Sequence, residues 1–380
     1  MNTFKCPICG NDNPIYVGYK NDKPYCRKCI KMRGESAPNY VYSGATPLLK
    51  LNYELSKEQK DLSQKIVSSF INKVNTLITA ICGAGKTELV YGVIYYALTQ
   101  RKSIAFALPR RDVAIELFER IKDAFPNNKV VAVYGGHTSE LLGDIVILTT
   151  HQLYRYEKYF DLMILDEIDA FPYNGDELLS TMFFRALKGN YVFMSATPPE
   201  DVLNKFKKEG GVILKLNKRF HRHPLPVPEV KILYGDLKVD YLKSLLKTFI
   251  KEKKPVFVFV PTIEIGEELF KRLKSSFDRC NIVHSKNPNR PQIISDFRHN
   301  KYDFLVTTAV LERGVTVKNL QVIIYQSDHQ IYNDKTLIQI SGRVGRKKDA
   351  PEGKVIFLSD KKTSHMEKAI RDIETKNLYL

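Results

Sequence analysis

The stretch Ala80-Ile81-Cys82-Gly83-Ala84-Gly85-Lys86-Thr87 decides how this chain is read. It follows the apolar run Leu77 to Ile81 and opens the amphipathic pattern Lys86 to Leu98. The spacing therefore predicts a strand, a tight turn and a helix in succession. Gly83 and Gly85 let the backbone approach an anion, and the N–H groups of the turn and helix start then face negative charge. Lys86 is placed for the β- and γ-phosphates of a nucleoside triphosphate, and the Thr87 hydroxyl for Mg²⁺. Ala80 stands where a first glycine is usual.

Further along, the apolar run Leu162 to Leu165 ends in Asp166-Glu167-Ile168-Asp169. A carboxylate at the end of a neighbouring parallel strand can hold Mg²⁺ opposite Thr87, usually through water, which assigns Asp166. Glu167 is then placed to orient and deprotonate an attacking water. Ser195-Ala196-Thr197 ends another apolar run, Tyr191 to Met194, and its hydroxyls are expected to bond the acidic cluster at Asp169. Upstream, Gln59 in Leu55-Ser56-Lys57-Glu58-Gln59 is assigned to the adenine edge, because an amide both donates and accepts. The loop and acidic pair together imply an NTPase with ATP and Mg²⁺ as nucleotide and metal.

The same grammar repeats along the 380 residues. Ser103 to Leu108, Val130 to Val133 and Ile145 to Thr149 read as buried strands, with helical patterns such as Asp112 to Ala124 between them. This alternation predicts an α/β fold with a parallel sheet covered on both faces. A second series follows the Pro-rich stretch His223 to Pro228: Val256 to Val260, Asn281 to His284, Phe304 to Thr307, Val322 to Tyr325 and Val355 to Leu358. The expected layout is a small module over 1–48, an ATP-binding domain over 49–222, a linker over 223–231 and a second α/β domain over 232–380. In the second domain, Gln339-Ile340-Ser341-Gly342-Arg343-Val344-Gly345-Arg346 carries two arginines suited to a phosphate. Arg343 and Arg346 are expected to act as arginine fingers on the γ-phosphate, a basic surface helix being the plain alternative.

The first module has chemistry of its own. Cys6, Cys9, Cys26 and Cys29 form C-x₂-C-x₁₆-C-x₂-C, the spacing of a structural Zn²⁺ site closed by four thiolates. Lys5, Lys20, Lys23, Arg27, Lys28, Lys31 and Arg33 supply positive charge around it. Redox-active pairs are the alternative, without the βαβ context they need. Cys82 and Cys280 have no matching partners. Overall, 59 Lys and Arg against 42 Asp and Glu leave +17, a balance that points to a polyanionic partner. No apolar run approaches the ~18 residues of a membrane-spanning helix, and the first residues lack a secretory pattern, which leads us to expect a cytoplasmic chain.

In order, A-x-x-G-x-G-K-T, D-E-I-D, S-A-T, T-T-x-x-L-E-R-G and Q-x-x-G-R-x-G-R resemble the motif set of superfamily 2 helicases, over residues from about 55 to 360. The resemblance implies two tandem RecA-like domains, ATP between them, and a single nucleic-acid strand running across both. It adds Gly314 to the nucleotide site. It also implies strand contacts from Arg110, Arg111, Gly135, Gly136, Thr149, Thr150, His151 and Gln152 in the first domain. Thr262, His284, Thr307 and Thr308 would serve in the second, with a satisfied structural histidine the equal alternative for His284. Loops at strand ends offer N–H, hydroxyl and guanidinium donors to phosphates, so such contacts would position a strand without reading its sequence.

The segments Asp166 to Pro172 and Arg219 to Pro228, with the N-terminal cysteines, resemble the ComFA family of late-competence helicases. That implies an ATPase at the inner face of the membrane that helps draw single-stranded DNA into transformable bacteria. A ComFC-like phosphoribosyltransferase-fold protein and the membrane DNA-uptake channel are the implied partners. Three alternatives depart from the pattern. Primosomal helicases are longer and carry their zinc-binding cysteines within the second helicase domain. DEAD-box RNA helicases have D-E-A-D and P-T-R-E-L where this chain has Asp166-Glu-Ile-Asp and Pro109-Arg-Arg-Asp. A zinc-dependent scaffold with a silent ATP site would not need intact Lys86, Thr87, Asp166, Glu167, Arg343 and Arg346.

Overall fold

The computed structural model describes residues 4–378 except 31, 33, 82–83, 171–172, 174, 217–222 and 313–314. The described residues form two compact bodies, one of residues 4–80 and 85–216 and the other of residues from 223 onward, with which Ile81 and Ala84 are grouped.

The first body begins with a hairpin of β1 (Val17–Lys20) and β2 (Lys23–Cys26). Asn21 and Asp22 join them with φ of 49° and 56°, the left-handed values a two-residue hairpin turn needs. An extended segment then leads to α1 (Lys57–Ile71), β3 (Thr76–Ala80), α2 (Lys86–Leu89), α3 (Tyr91–Thr99) and β4 (Ile104–Leu108). There follow α4 (Arg111–Ala124), β5 (Val130–Val133), β6 (Ile145–Thr149) and a 3₁₀ turn over Thr150–Arg155. The body closes with β7 (Phe160–Asp166), α5 (Glu177–Ala186), β8 (Leu187–Ser195), α6 (Glu200–Lys208) and β9 (Val212–Leu216). Its seven-stranded sheet has the order β5-β6-β4-β7-β8-β3-β9, and every pairing is parallel.

The second body contains β10 (Glu229–Ile232), α7 (Gly235–Lys251), β11 (Val256–Phe259), α8 (Ile263–Lys274), β12 (Cys280–Val283) and α9 (Arg290–Arg298). It continues with β13 (Phe304–Thr307), β14 (Gln321–Tyr325), α10 (Asp334–Ser341), β15 (Val355–Ser359) and α11 (Ser364–Asn377). Six parallel strands lie in the order β10-β15-β14-β11-β13-β12. The chain thus forms the expected pair of parallel-sheet, RecA-like domains. Central strands such as β6 and β11 are buried along their whole length, which is why they read as unbroken apolar runs.

Two strands of the large sheets escaped the sequence reading for one physical reason. β9 and β10 are the edges of their sheets, part-exposed, and their Val-Ile-Leu-Lys-Leu and Glu-Val-Lys-Ile carry polar residues. β10 occupies the end of the stretch expected to be only a linker, pairing along its length with β15. The helix expected over Lys86 to Leu98 is broken at Val90 into α2 and α3.

The N-terminal module belongs to the first body rather than standing apart. Its extended connection is held by hydrogen bonds instead of regular structure. The Ala37 N–H donates to Arg155 O (2.9 Å), the Tyr40 hydroxyl to Lys102 O (3.3 Å), and the Lys50 N–H to Ala124 O (2.8 Å). Its anchor is Asp144, a carboxylate only 1% exposed just before β6. It accepts from the Ser43 N–H (2.9 Å) and hydroxyl (2.5 Å), the Asn128 amide (3.2 Å) and the Lys129 N–H (3.1 Å). Asp144→Ala is expected to cost roughly 3 kcal/mol, because buried donors lose a charged acceptor. Urea unfolding would give that figure, and limited proteolysis should show new cleavage near Ser43.

Candidate nucleotide site, strand-facing loops and cysteine cluster

In a parallel sheet all carboxyl ends lie at one edge, and the loops leaving that edge build the site. β3 delivers the phosphate loop there. Gly85 takes φ of 80° and starts α2. A Cβ at this position would also lie 2.7 Å from Gln59 Nε2 and 3.2 Å from Glu88 Oε2. The backbone angle requires glycine here, and a side chain would in addition push aside the ends of Gln59 and Glu88. Gln59 is buried and fixed by a capping box: the Ser56 hydroxyl accepts its N–H (3.2 Å), and its Oε1 accepts the Ser56 N–H (3.0 Å). The capping bond uses the oxygen end of the amide, while the nitrogen end lies against Gly85.

β7 delivers the acids. Lys86 Nζ sits 3.2 Å from Asp166 Oδ1, joining the helix after β3 to the end of β7. Burial pushes the Asp166 carboxyl above the usual carboxylate range, Lys86 pulls it down, and the neighbouring Glu167 pushes it up. Glu167 donates its N–H to Asp166 Oδ1 (2.8 Å) and adopts φ of 58°. A left-handed, non-glycine residue costs on the order of 1 kcal/mol and is tolerated where the surroundings impose it. β8 lies between β7 and β3 in the sheet and ends at Ser195. The Ser195 hydroxyl donates to Asp169 Oδ1 (2.5 Å) and the Thr197 hydroxyl to Oδ2 (3.0 Å), while the Thr197 N–H donates to Ser195 Oγ (2.9 Å). The expected bonding of these hydroxyls to Asp169 is present.

The sequence reading missed Glu88. It accepts from Arg120 (2.6 Å) on α4 and from the Tyr53 hydroxyl (3.2 Å) ahead of α1. Nothing local marks this triad, because its members come from three separate segments.

In the second body Arg343 and Arg346 differ sharply. Arg343 is 2% exposed, with Nε donating to Glu312 O (2.6 Å) and Nη1 to Val315 O (2.9 Å). It therefore clasps the loop after β13 from within its own domain. Arg346 is half-buried, with Nε on Gly342 O (3.0 Å). Gly83 and Gly314, also assigned to the nucleotide, lie outside the described residues.

The residues assigned to strand contact fall at the carboxyl ends of three adjacent strands in each sheet. Arg110 and Arg111 follow β4, Gly135 and Gly136 follow β5, and Thr149, Thr150 and His151 close β6. Arg111 is exposed and stacks over the Tyr134 ring at 5.0 Å, and both glycines are open to solvent. His151 is exposed, whereas Thr149 and Thr150 are buried. In the second body Thr262 follows β11, His284 follows β12, and Thr307 and Thr308 close β13. The Thr262 hydroxyl caps α8 by accepting the Ile265 N–H (3.2 Å). The Thr307 hydroxyl is buried and donates to Val283 O (2.9 Å), which leaves Thr308 as the reachable member of that pair. His284 is buried, with Nε2 3.6 Å from Glu267.

The four cysteines converge. Cys6 and Cys29 sulfurs lie 3.6 Å apart, as do those of Cys9 and Cys26, and all four are buried within 4.8 Å of one another. None is in a disulfide. Burial pushes the Cys9 thiol up to about 11 and raises Cys29. At Cys26 burial is outweighed by hydrogen bonds from the Cys29 and Lys28 backbone and from Cys9, which lower it, so the thiols of the cluster differ in readiness to ionise. The module is bolted to α5 and to the turn after β6. Arg185 of α5 donates Nε to Pro7 O (3.0 Å), Nη1 to Tyr154 O and Tyr156 O (3.0 Å each), and Nη2 to Glu157 (2.8 Å). Arg155 joins Gln152 Oε1 (2.7 Å) to Glu35 O (2.7 Å).

Known proteins share this architecture. The DEAD/DEAH box helicase family matches residues 60–206, and the helicase conserved C-terminal domain matches residues 237–348. The competence protein ComFA of Bacillus subtilis strain 168 is 34% identical over 98% of this chain and 86% of its own length. This chain belongs to the ComFA family. ComFA of Streptococcus pneumoniae R6 is 30% identical over 93% of this chain and 85% of its own. The structure of S. cerevisiae Dbp5 bound to RNA and ADP BeF3 is similar in fold, with a TM-score of 0.64 at 18% identity over 85% of this chain and 92% of that one. RecG bound to a three-way DNA junction has a TM-score of 0.63 at 21% identity, covering 86% of this chain and 45% of that one. This ComFA-family member is thus an ATP-dependent helicase or translocase of the competence class. No helix among its described residues is long and apolar enough to cross a membrane.

Arg185→Ala should loosen the module at its mooring. Hydrogen exchange is expected to rise across residues 4–30 while the central strands of the first sheet stay protected. Equal protection of the module in both proteins would show that Arg185 does not hold it.

Proposed function

We propose that the chain hydrolyses ATP to pull single-stranded DNA into the cell during transformation. The observation that carries the reading is the Lys86–Asp166 pair, which brings the phosphate loop and the acidic strand end to one place. Without nucleotide the two charges pair with each other. With ATP bound, Lys86 would face the β- and γ-phosphates, and the Thr87 hydroxyl and Asp166 would hold Mg²⁺. The metal would supply charge neutralisation on the phosphate oxygens. Gln59 reads the adenine edge, and Gly83 and Gly85 let the loop close on the phosphates.

Glu167 takes a proton from water as the water oxygen attacks the γ-phosphorus and the bond to the ADP oxygen breaks. Arg346 meets the charge growing on the γ-phosphate. Arg343, held by two carbonyls, positions the loop containing Thr308 and Gly314. Asp169 couples the acidic loop to Ser195 and Thr197 at the end of β8, so a change at Glu167 is felt by the neighbouring strand.

Arg110, Arg111, Gly135, Gly136, Thr149, Thr150 and His151 in one domain, and Thr262, His284, Thr307 and Thr308 in the other, form the strand path. The buried hydroxyl of Thr307 favours a backbone or positioning role there. Cys6, Cys9, Cys26 and Cys29 hold a structural Zn²⁺. Their 3.6 Å sulfur separations fit the edge of a tetrahedron with Zn–S bonds of about 2.3 Å. The competence name of the relatives supports a part in DNA uptake. The work is then placed beside the DNA-uptake channel at the cytoplasmic face of the membrane, with a ComFC-like protein as partner, as the family resemblance implies.

ATP turnover should rise at least tenfold with single-stranded DNA and less with matched RNA. Lys86→Ala is expected to abolish nucleotide binding, whereas Glu167→Gln should bind ATP and stall. Turnover indifferent to nucleic acid would sink the motor reading. A second expectation concerns pH. Because burial raises Asp166, the ionised form that Mg²⁺ requires is lost, as pH falls, earlier than for an ordinary aspartate. Affinity for Mg²⁺-ATP should therefore weaken on mild acidification, and Asp166→Asn should remove that pH dependence along with most of the affinity.

A further inference from the structure

The cysteine module carries a surface that the ATPase does not use. In the β1–β2 register Gly18 stands opposite Tyr25 and Lys20 opposite Lys23, so these four share one face of the hairpin. Gly18 is buried although it lies in a two-stranded sheet at the edge of the molecule. Its cover is Tyr25 together with Arg27. A Cβ on Gly18 would lie 2.5 Å from Tyr25 Cζ, 2.7 Å from its hydroxyl oxygen and 2.9 Å from Arg27 Nε. The phenol and the guanidinium thus converge over the bare backbone of Gly18. Lys20, Lys23 and Arg27 are exposed around the half-buried ring.

The hairpin shows apolar groups to solvent on its other side as well. Tyr19 is 70% exposed and Ile15 78%, with Tyr16 at 42%. A tyrosine opposite a strand glycine shields the glycine's backbone, and here that ring is also surrounded by three exposed cations. Residues 4–30 contain Lys5, Lys20, Lys23, Arg27 and Lys28 against Asp12 and Asp22. The cysteine sulfurs are buried beneath this surface, so their charge is set back from anything docking on it. Aromatic faces flanked by cations are what a single nucleic-acid strand needs: bases stack on the rings while phosphates meet Lys and Arg.

We propose that this hairpin face is a second single-strand site, in which Tyr25 stacks a base and Lys20, Lys23 and Arg27 hold the adjoining phosphates. The module is a fixed extension of the first domain. Arg185 ties it to Tyr154 and Tyr156, and Arg155 ties Glu35 to Gln152, in the turn that directly follows Thr149 and Thr150. A strand leaving those loops therefore has a rigid neighbour to run onto. The inference rests on the motor reading for the identity of the polyanion.

Gly18→Val tests it without touching a charge or a cysteine. Valine suits a strand, and the backbone angle of Gly18 is not of the left-handed kind, so the change should displace the Tyr25 ring and, with it, the Arg27 guanidinium. Retention of zinc, and the thiolate spectrum of the cobalt-substituted protein, would show the module intact. Fluorescence anisotropy would compare labelled oligothymidylates of about 8 and about 30 nucleotides. The variant should lose about tenfold in affinity for the long strand and little for the short one, with maximal strand-stimulated turnover unchanged. Lys20→Gln, Lys23→Gln and Arg27→Gln together should reduce the slope of log affinity against log salt by about 2 for the long strand.

Unchanged affinity and salt slope in both variants, with a normally stimulated wild type, would overturn the site while leaving the motor reading intact. Failure of wild type to respond to any strand would instead overturn the motor reading. Normal strand binding by Gly18→Val together with lost transformation in cells would assign the face to a protein partner and overturn the proposal as well.

Discussion

Every strand in both large sheets runs in one direction, and the rest of the molecule follows from that. Parallel strands must be joined by crossovers, so each strand's carboxyl end opens onto a loop at the same edge. Lys86, Asp166, Ser195, Arg110 and Thr149 come from loops tens of residues apart, yet they share one rim because β3, β7, β8, β4 and β6 do. The strand order also sorts the assigned residues. Those assigned to nucleotide gather at β7, β8 and β3, and those assigned to strand contact at β5, β6 and β4. In the second sheet the residues assigned to strand contact follow β11, β13 and β12.

Buried charge then separates residues that move from residues that hold. Asp144 is an acceptor saturated by four hydrogen bonds from Ser43, Asn128 and Lys129, and it has no reason to change partner. Arg343 is similar, its guanidinium spent on carbonyls. Lys86 and Asp166 pair at 3.2 Å, and burial holds Asp166 above its ordinary titration range. A pair of this kind is poised for exchange, since a triphosphate and a divalent cation offer each partner a stronger counter-charge at small cost in geometry.

Much of this was legible in the sequence, and the limits of legibility have physical causes. The glycines and Lys-Thr of the phosphate loop, the acids closing β7 and the paired cysteines are short-range patterns whose chemistry dictates their spacing. The hydroxyls of Ser195 and Thr197 could be matched to Asp169 because both lie at ends of recognisable strands. β9 and β10 could not be read, since an edge strand needs only half an apolar face. Nor could the Glu88–Arg120–Tyr53 triad, whose members meet only after folding. A threonine at a strand end looks alike whether its hydroxyl faces a ligand or, as in Thr307, a neighbouring strand.

The attachment of the cysteine module was equally invisible, because Arg185 and Pro7 lie 178 residues apart. It alters what the module can be. A metal-binding finger on a flexible tether would bind its ligand independently of the motor. Here the module's core is continuous with that of the first domain, where Cys6 and Cys29 pack in one cluster with Leu153, Met182 and Phe183. Its connections end on α5, which follows the acidic loop, and on the turn that follows Thr149 and Thr150. The cysteine cluster therefore braces α5, which follows the acidic loop, and the turn that carries His151. A rigid brace cannot search for a ligand on its own, so whatever docks on the hairpin is held at a fixed place relative to α5 and to the turn that carries His151.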